Sequence, residues 1–167
     1  MIGDKIIRAK YFPTVRIVCY SPPSDNIAAA LPVKVSLNGV DFVDSGFTFS
    51  YYMQPILEGL EPPSGSYLGG TELNIKGNQF SNITDPASVK CRFTLRNATN
   101  GMRPALPKTM PAFYIDQHTM MCVTPNGFLG GDRVNVQLTL NDMDYTPESE
   151  NMVFSFYAVF GSFPHSG

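Results

Sequence analysis

What most constrains this chain is that part of it occurs twice. Val15-Arg16-Ile17-Val18-Cys19-Tyr20-Ser21-Pro22 matches Thr119-Met120-Met121-Cys122-Val123-Thr124-Pro125, and both apolar stretches run into Cys-x-[Ser/Thr]-Pro. The flanks match in the same order. Ala9-Lys10-Tyr11 aligns with Ala112-Phe113-Tyr114, and Val33-Lys34-Val35-Ser36-Leu37 with Val134-Asn135-Val136-Gln137-Leu138. Asn38-Gly39-Val40-Asp41-Phe42 aligns with Asn141-Asp142-Met143-Asp144-Tyr145, and Phe47 to Tyr52 with Met152 to Tyr157. Pro62-Pro63-Ser64-Gly65 returns as Pro164-His165-Ser166-Gly167, so the offsets run from 101 to 105 residues. That period is too long for a solenoid repeat and suits a whole β-sandwich. The chain then divides into residues 1–53, the second half of a unit; 54–158, a complete unit; and 159–167, the opening of a third. It reads as a window on a longer array, which accounts for an N-terminus with no signal-peptide apolar stretch. Half a sandwich exposes one core face, so residues 1–53 are expected to pack against a neighbouring chain or segment.

Each unit reads as all-β. Glu72-Leu73-Asn74-Ile75-Lys76 and Val89-Lys90-Cys91-Arg92-Phe93 alternate apolar and polar residues, as half-buried strands do. Thr119 to Val123, Val134 to Leu140 and Met152 to Tyr157 continue the series to about seven strands in the full unit. Asn38-Gly39 signals a hairpin, because both residues tolerate positive φ. Pro62-Pro63 marks a strand break, since proline cannot donate to a ladder. Fourteen Gly, fourteen Pro, twelve Phe and eight Tyr agree with a turn-rich strand protein. With 43% apolar and 16% charged residues, the chain can build a core and is not a disordered polyelectrolyte. No apolar run approaches the ~18 residues of a membrane-spanning helix, so no direct membrane insertion is expected of this segment.

Ser64-Gly65, Gly69-Gly70-Thr71, Gly77-x-x-Phe80, Val89-x-Cys91-x-Phe93, Met121-Cys122-x-x-Pro125 and Val134-x-Val136 together resemble the IPT/TIG domain. This immunoglobulin-like domain is shared by plexins, transcription factors and large surface proteins. The resemblance covers the whole chain and implies an early-set immunoglobulin-like antiparallel β-sandwich in tandem repeats. The long segment from Asn97 to Met110 departs from the compact pattern of the family. The resemblance also places Cys91 and Cys122 on neighbouring strands of one unit, where a disulfide would stabilise by roughly 3–4 kcal/mol. Two buried thiols are the plainer alternative. Cys19 occupies the Cys122 position of the preceding unit, so its partner would lie upstream of Met1. Two glycosylation sequons, Asn82-Ile83-Thr84 and Asn97-Ala98-Thr99, fall in predicted loops and agree with an oxidising compartment.

A search for chemistry finds little. Of the two histidines, His118 reads as a solvated turn residue, and His165 lies in the opening turn of the next unit. Neither has a nucleophile or metal-ligand spacing beside it. Asp142, Asp144, Glu148 and Glu150 are the only calcium candidates, but they lack the glycine and spacing of a calcium loop. A solvated hairpin tip is preferred for them. Lys90, Arg92, Arg96, Arg103 and Lys108 form a basic stretch, read as the outer face of a strand rather than a polyanion site. Residues 54–158 hold seven basic and ten acidic residues, a balance opposed to phosphate binding.

The expectation is therefore a non-catalytic structural or adhesive module, with no cofactor and no nucleic acid, in a larger extracellular or cell-surface protein. Its partners would be other units of the array, other proteins, or further copies in an oligomer or filament. An accessory domain of a carbohydrate-active protein is the alternative, although the chain has no Trp to stack on sugars. An intracellular, for example ciliary, scaffold is another. The DNA-binding branch of the family is disfavoured by charge.

Overall fold

The computed structural model describes residues 1–13, 16–25, 30–81, 86–97 and 106–158. They form two compact units, Met1–Met53 and Gln54–Gly167. No α-helix occurs among the described residues.

The first unit consists of two hairpin-like pairs. Strands β1 (Ala9–Phe12) and β2 (Arg16–Cys19) pair antiparallel, with Ala9 opposite Cys19 and Tyr11 opposite Ile17. Strands β3 (Ala30–Val35) and β4 (Val43–Ser50) pair antiparallel, with Leu31 opposite Phe49 and Val35 opposite Val43. Residues Met1 to Gly3 run along the other edge of β3. The Ile2 backbone bridges Val33, Gly3 N donates to Pro32 O at 3.0 Å and Lys34 N to Met1 O at 2.9 Å. Every described strand residue of this unit is exposed or half-buried, and among the described residues Ile2 is its one buried apolar residue.

The second unit is a continuous ribbon of eight strands that folds over on itself. Its strands are β5 (Ile56–Glu61), β6 (Ser64–Ser66), β7 (Glu72–Asn78), β8 (Lys90–Asn97), β9 (Lys108–Asp116), β10 (Thr119–Val123), β11 (Arg133–Thr139) and β12 (Val153–Tyr157). Hydrogen bonding orders them β5-β7-β10-β9-β8-β11-β12-β6. The fold-over occurs at β9. Its first half pairs with β8, Lys108 opposite Phe93, and its second half pairs with β10, Ala112 opposite Cys122. One strand thus serves both layers. The ribbon closes at its ends because β5 breaks after Glu61, at a cis Glu61–Pro62 peptide, and the chain continues as β6 along β12. All pairs are antiparallel except β6 with β12.

The two layers bury their alternating apolar positions against each other. Leu73 and Ile75 of β7 and Met120 and Cys122 of β10 meet Cys91 and Phe93 of β8, Val134, Val136 and Leu138 of β11, and Phe154 and Phe156 of β12. Phe156 stacks on Phe128 at a centroid distance of 5.0 Å and meets Phe154 edge-on at 5.1 Å. Strand β11 is buried on both faces, which its alternation does not predict. The segment from Tyr145 to Ser149 covers its outer side and satisfies the polar residues there. Gln137 Nε2 donates to Thr146 O at 2.7 Å, Asn135 Nδ2 to Glu148 Oε2 at 2.7 Å, and Arg92 Nη2 to Gln137 Oε1 at 2.8 Å. Sequence reading extends β11 to Leu140 and starts β12 at Met152; in the structure β11 ends at Thr139, and Met152 belongs to a 3-10 turn. Strand β9, Lys108–Asp116, is not among the strands expected from sequence.

Candidate functional site

Two motifs separated by some fifty residues meet at one end of the second unit. Gly69-Gly70-Thr71 docks on Thr124-Pro125: Gly70 N donates to Thr124 O at 2.9 Å, Thr71 N to Thr124 Oγ1 at 3.0 Å, and Thr124 N to Thr71 O at 2.9 Å. Gly69 has φ +79, and a Cβ there would lie 2.7 Å from Asn126 N and 2.8 Å from the Pro125 carbonyl carbon. These residues fix the start of β7 against the end of β10, its hydrogen-bonded neighbour in the same layer, and so hold the register of that pair.

Cys91 of β8 and Cys122 of β10 meet between the layers, one from each, both fully buried. In the structure both are free thiols, and the Cys91 thiol is hydrogen-bonded with that of Cys122. Burial, reinforced by that neighbour, raises the Cys91 pKa well above its ordinary 9.0. The native state therefore keeps a proton that the unfolded chain releases. In reducing buffer, stability is expected to fall as pH rises above 9.0, with a shallower slope in Cys91→Ala. Denaturant melts at a series of pH values measure this, and equal slopes would contradict the burial. Cys19 is also a free thiol, but an exposed one.

The four acidic candidates do not converge. Asp142 pairs with Lys90 Nζ, Asp144 Oδ2 accepts from Asn141 Nδ2 at 2.9 Å, and Glu148 accepts from Asn135. Glu150 forms a two-pronged pair with Arg96, whose guanidinium holds the Glu150 carboxyl below its ordinary range. Among the described residues, no group of three or more His, Cys, Asp or Glu is placed to hold a metal ion. The basic stretch is likewise engaged: Arg92 stacks on Tyr145 at 3.8 Å, and Lys108 Nζ donates to Asn126 O at 2.5 Å. Arg103 lies outside the described residues, as do Asn82 and His165. Asn97 does not sit in a loop; it is the last residue of β8, its backbone opposite Arg133. His118 is an exposed turn residue between β9 and β10, with Nδ1 3.2 Å from Gly77 O.

What the second unit offers a partner is apolar surface rather than reactive groups. Phe113 and Ile115 stand on one face of β9, each about half exposed, with Phe113 cross-strand to the half-buried Met121. Sequence reading placed no contact residue there, because β9 itself was not assigned.

A sandwich with a strand shared between its layers, locked by a Gly-Gly-Thr turn, defines a class: the immunoglobulin-like β-sandwich domains. Within that class, the model of the IPT/TIG domain family matches residues 55–156, and the chain belongs to that family. It is 29% identical to human (Homo sapiens) Plexin-A2 over 110 residues, covering 66% of this chain and 5% of the relative. It is 36% identical to mouse (Mus musculus) Plexin-A2 over 84 residues, covering 50% and 4%. It is 23% identical to mouse Plexin-A3 over 121 residues, covering 72% and 6%. The matched region is thus a small fraction of these relatives, 6% or less of their length. The family makes the second unit a non-catalytic protein-interaction module.

Proposed function

We propose that this chain is a stretch of a tandem IPT/TIG array in a larger extracellular or cell-surface protein, where it acts as a spacer and adhesive surface. Residues 1–53 are then the second half of one unit, 54–158 a complete unit and 159–167 the start of a third. The observation that carries this reading is a hydrogen-bond pattern present in both units. Asn38 Oδ1 accepts from Val40 N at 3.0 Å and Asp41 N at 2.9 Å, and Asn141 Oδ1 accepts from Met143 N at 3.0 Å and Asp144 N at 2.8 Å. The Ser36 and Thr139 hydroxyls donate to the two asparagines at 2.9 and 3.1 Å. Strand registers agree as well: Ala9 opposite Cys19 corresponds to Ala112 opposite Cys122.

The plexin matches support the surface-protein branch of the family over the transcription-factor branch. In that setting Cys91 and Cys122 are oxidised to a disulfide, glycans sit on Asn82 or Asn97, and the partners are neighbouring units, other proteins or further copies of the chain. The test is antibody labelling of the endogenous protein, using an antibody raised against residues 54–158. Labelling of intact cells, with a Cys91–Cys122 cross-linked peptide in non-reduced digests, is expected. Labelling only after permeabilisation, with all thiols reduced, would overturn the surface assignment.

A further inference from the structure

An asparagine side chain is most open to attack by the next backbone nitrogen when glycine follows, because glycine carries no Cβ to shield that nitrogen. Two such pairs lie among the described residues, Asn38-Gly39 and Asn126-Gly127, and both are exposed. A third, Asn100-Gly101, lies outside them.

At Asn38 every polar group that such an attack would use has a partner in place. Asn38 Oδ1 accepts from Val40 N at 3.0 Å, from Asp41 N at 2.9 Å and from the Ser36 hydroxyl at 2.9 Å. The same hydroxyl accepts from Gly39 N at 2.9 Å, so it links the attacking nitrogen to the oxygen that will take up charge. Asn38 Nδ2 donates to Asp41 Oδ2 at 2.6 Å. The other asparagines lack this set. Asn126 is held by its backbone, its carbonyl accepting from Lys108 Nζ, and its side-chain amide has no partner among the described residues. At Asn141 the Thr139 hydroxyl accepts from Asn141 N at 3.3 Å, and the residue that follows is Asp142, not glycine.

We propose that the turn from Ser36 to Asp41 is a self-modifying site, where Asn38 closes on Gly39 to a succinimide and reopens as aspartate or isoaspartate. Gly39 N forms a bond to Asn38 Cγ. Its proton passes to Ser36 Oγ while the Ser36 hydroxyl proton passes to Asn38 Oδ1. The amides of Val40 and Asp41 stabilise the charge that builds on that oxygen. The Cγ–Nδ2 bond then breaks: the Oδ1 proton reaches Nδ2 through solvent, the carbonyl re-forms, and Nδ2 leaves as ammonia. The Asp41 carboxylate beside it stabilises the nitrogen as it gains that proton. One water adds to either ring carbonyl and opens the ring. The sum is asparagine plus water giving an acid plus ammonia. Either product sets a carboxylate against Asp41 in place of the Nδ2 donor, and like charges repel. Isoaspartate also adds a carbon to the backbone, so the turn joining β3 to β4 loosens as the molecule ages.

The test is peptide mapping by mass spectrometry of the full chain aged in neutral buffer, folded and in denaturant, with Asn126 as the internal clock. In the folded chain, Asn38 is expected to convert roughly tenfold or more faster than Asn126, and to give both acids. That lead should vanish in denaturant. Ser36→Ala should bring folded Asn38 down to the rate of Asn126, whereas Ser36→Thr, which keeps the hydroxyl, should retain the lead. No lead in the folded chain, or a lead that persists in denaturant, would overturn the proposal. So would a lead that survives Ser36→Ala, or aspartate as the sole product, which marks direct hydrolysis by water. The denaturant comparison needs no variant, so it decides the matter even where Ser36→Ala undoes the turn.

Discussion

Phe93→Ala is expected to cost about 3–5 kcal/mol, the range for removing a fully buried aromatic ring. Phe93 is 0% exposed, sits on β8 opposite Val136 of β11, and faces the layer formed by β7 and β10. Its removal leaves a void lined by side chains from both layers, and the shared strand β9 limits how far they can close on it. For a unit of this size the loss lowers Tm by more than roughly 10 °C, followed by circular dichroism on the full chain. Phe113→Ala is the matched control. Phe113 is 51% exposed on β9, and its truncation should stay within about 0.5 kcal/mol. Equal effects at the two positions would mean that β8 does not face inward.

Gly69→Ala should be the most damaging single-methyl change in the turns. The left-handed backbone alone costs an ordinary residue about 1–2 kcal/mol. The added Cβ also meets only backbone, at 2.7 Å from Asn126 N and 2.9 Å from Thr124 O, so no side chain can swing aside. The loop must retreat, and the three hydrogen bonds joining Gly70 and Thr71 to Thr124 go with it, each contributing about 1 kcal/mol. Gly70→Ala isolates the first term. Its φ is +80, but nothing lies within 4 Å of its Cβ, so it should lose only about 1–2 kcal/mol. Denaturant melts of both variants give the difference directly, and indistinguishable midpoints would remove the steric argument.

The strands that could be read from sequence are those whose two faces meet different surroundings. Strands β7 and β10 alternate because one side meets the opposite layer and the other meets solvent, and the sequence reading of β10 coincides with Thr119–Val123. Strand β9 was hidden because it changes layer midway, so no single alternation runs through Lys108–Asp116, and Pro111 interrupts it. In the proposed repeat, one block of the sequence match lies two residues out of step with the strand registers. Matching Val33–Leu37 to Val134–Leu138 preserves the apolar phase, because a slip of two keeps every side chain on its own face. The hydrogen bonds decide otherwise. The turn bonds of Asn38 and Asn141, with Leu31 opposite Phe49 and Val134 opposite Phe154, align Val33–Leu37 with Val136–Leu140. The surface patch on β9 was invisible for the same reason as the strand. The acidic cluster was visible as composition, but composition could not reveal that its carboxylates are held by separate donors from β8, β11 and the turn.

The single parallel pair determines how the second unit carries load. The chain enters β6 just after the break at Pro62 and leaves along β12, which runs in the same direction. Tension applied to the two ends is met first by β5 along β7, and once β5 has come away it drags β6 and β12 past each other lengthwise. The bonds from Ser155 N to Pro63 O, 3.1 Å, and from Tyr67 N to Tyr157 O, 3.0 Å, share that pull at once instead of yielding one after another. A unit wired this way resists stretching as a lap joint does, and opens like a zipper only when pulled from the side.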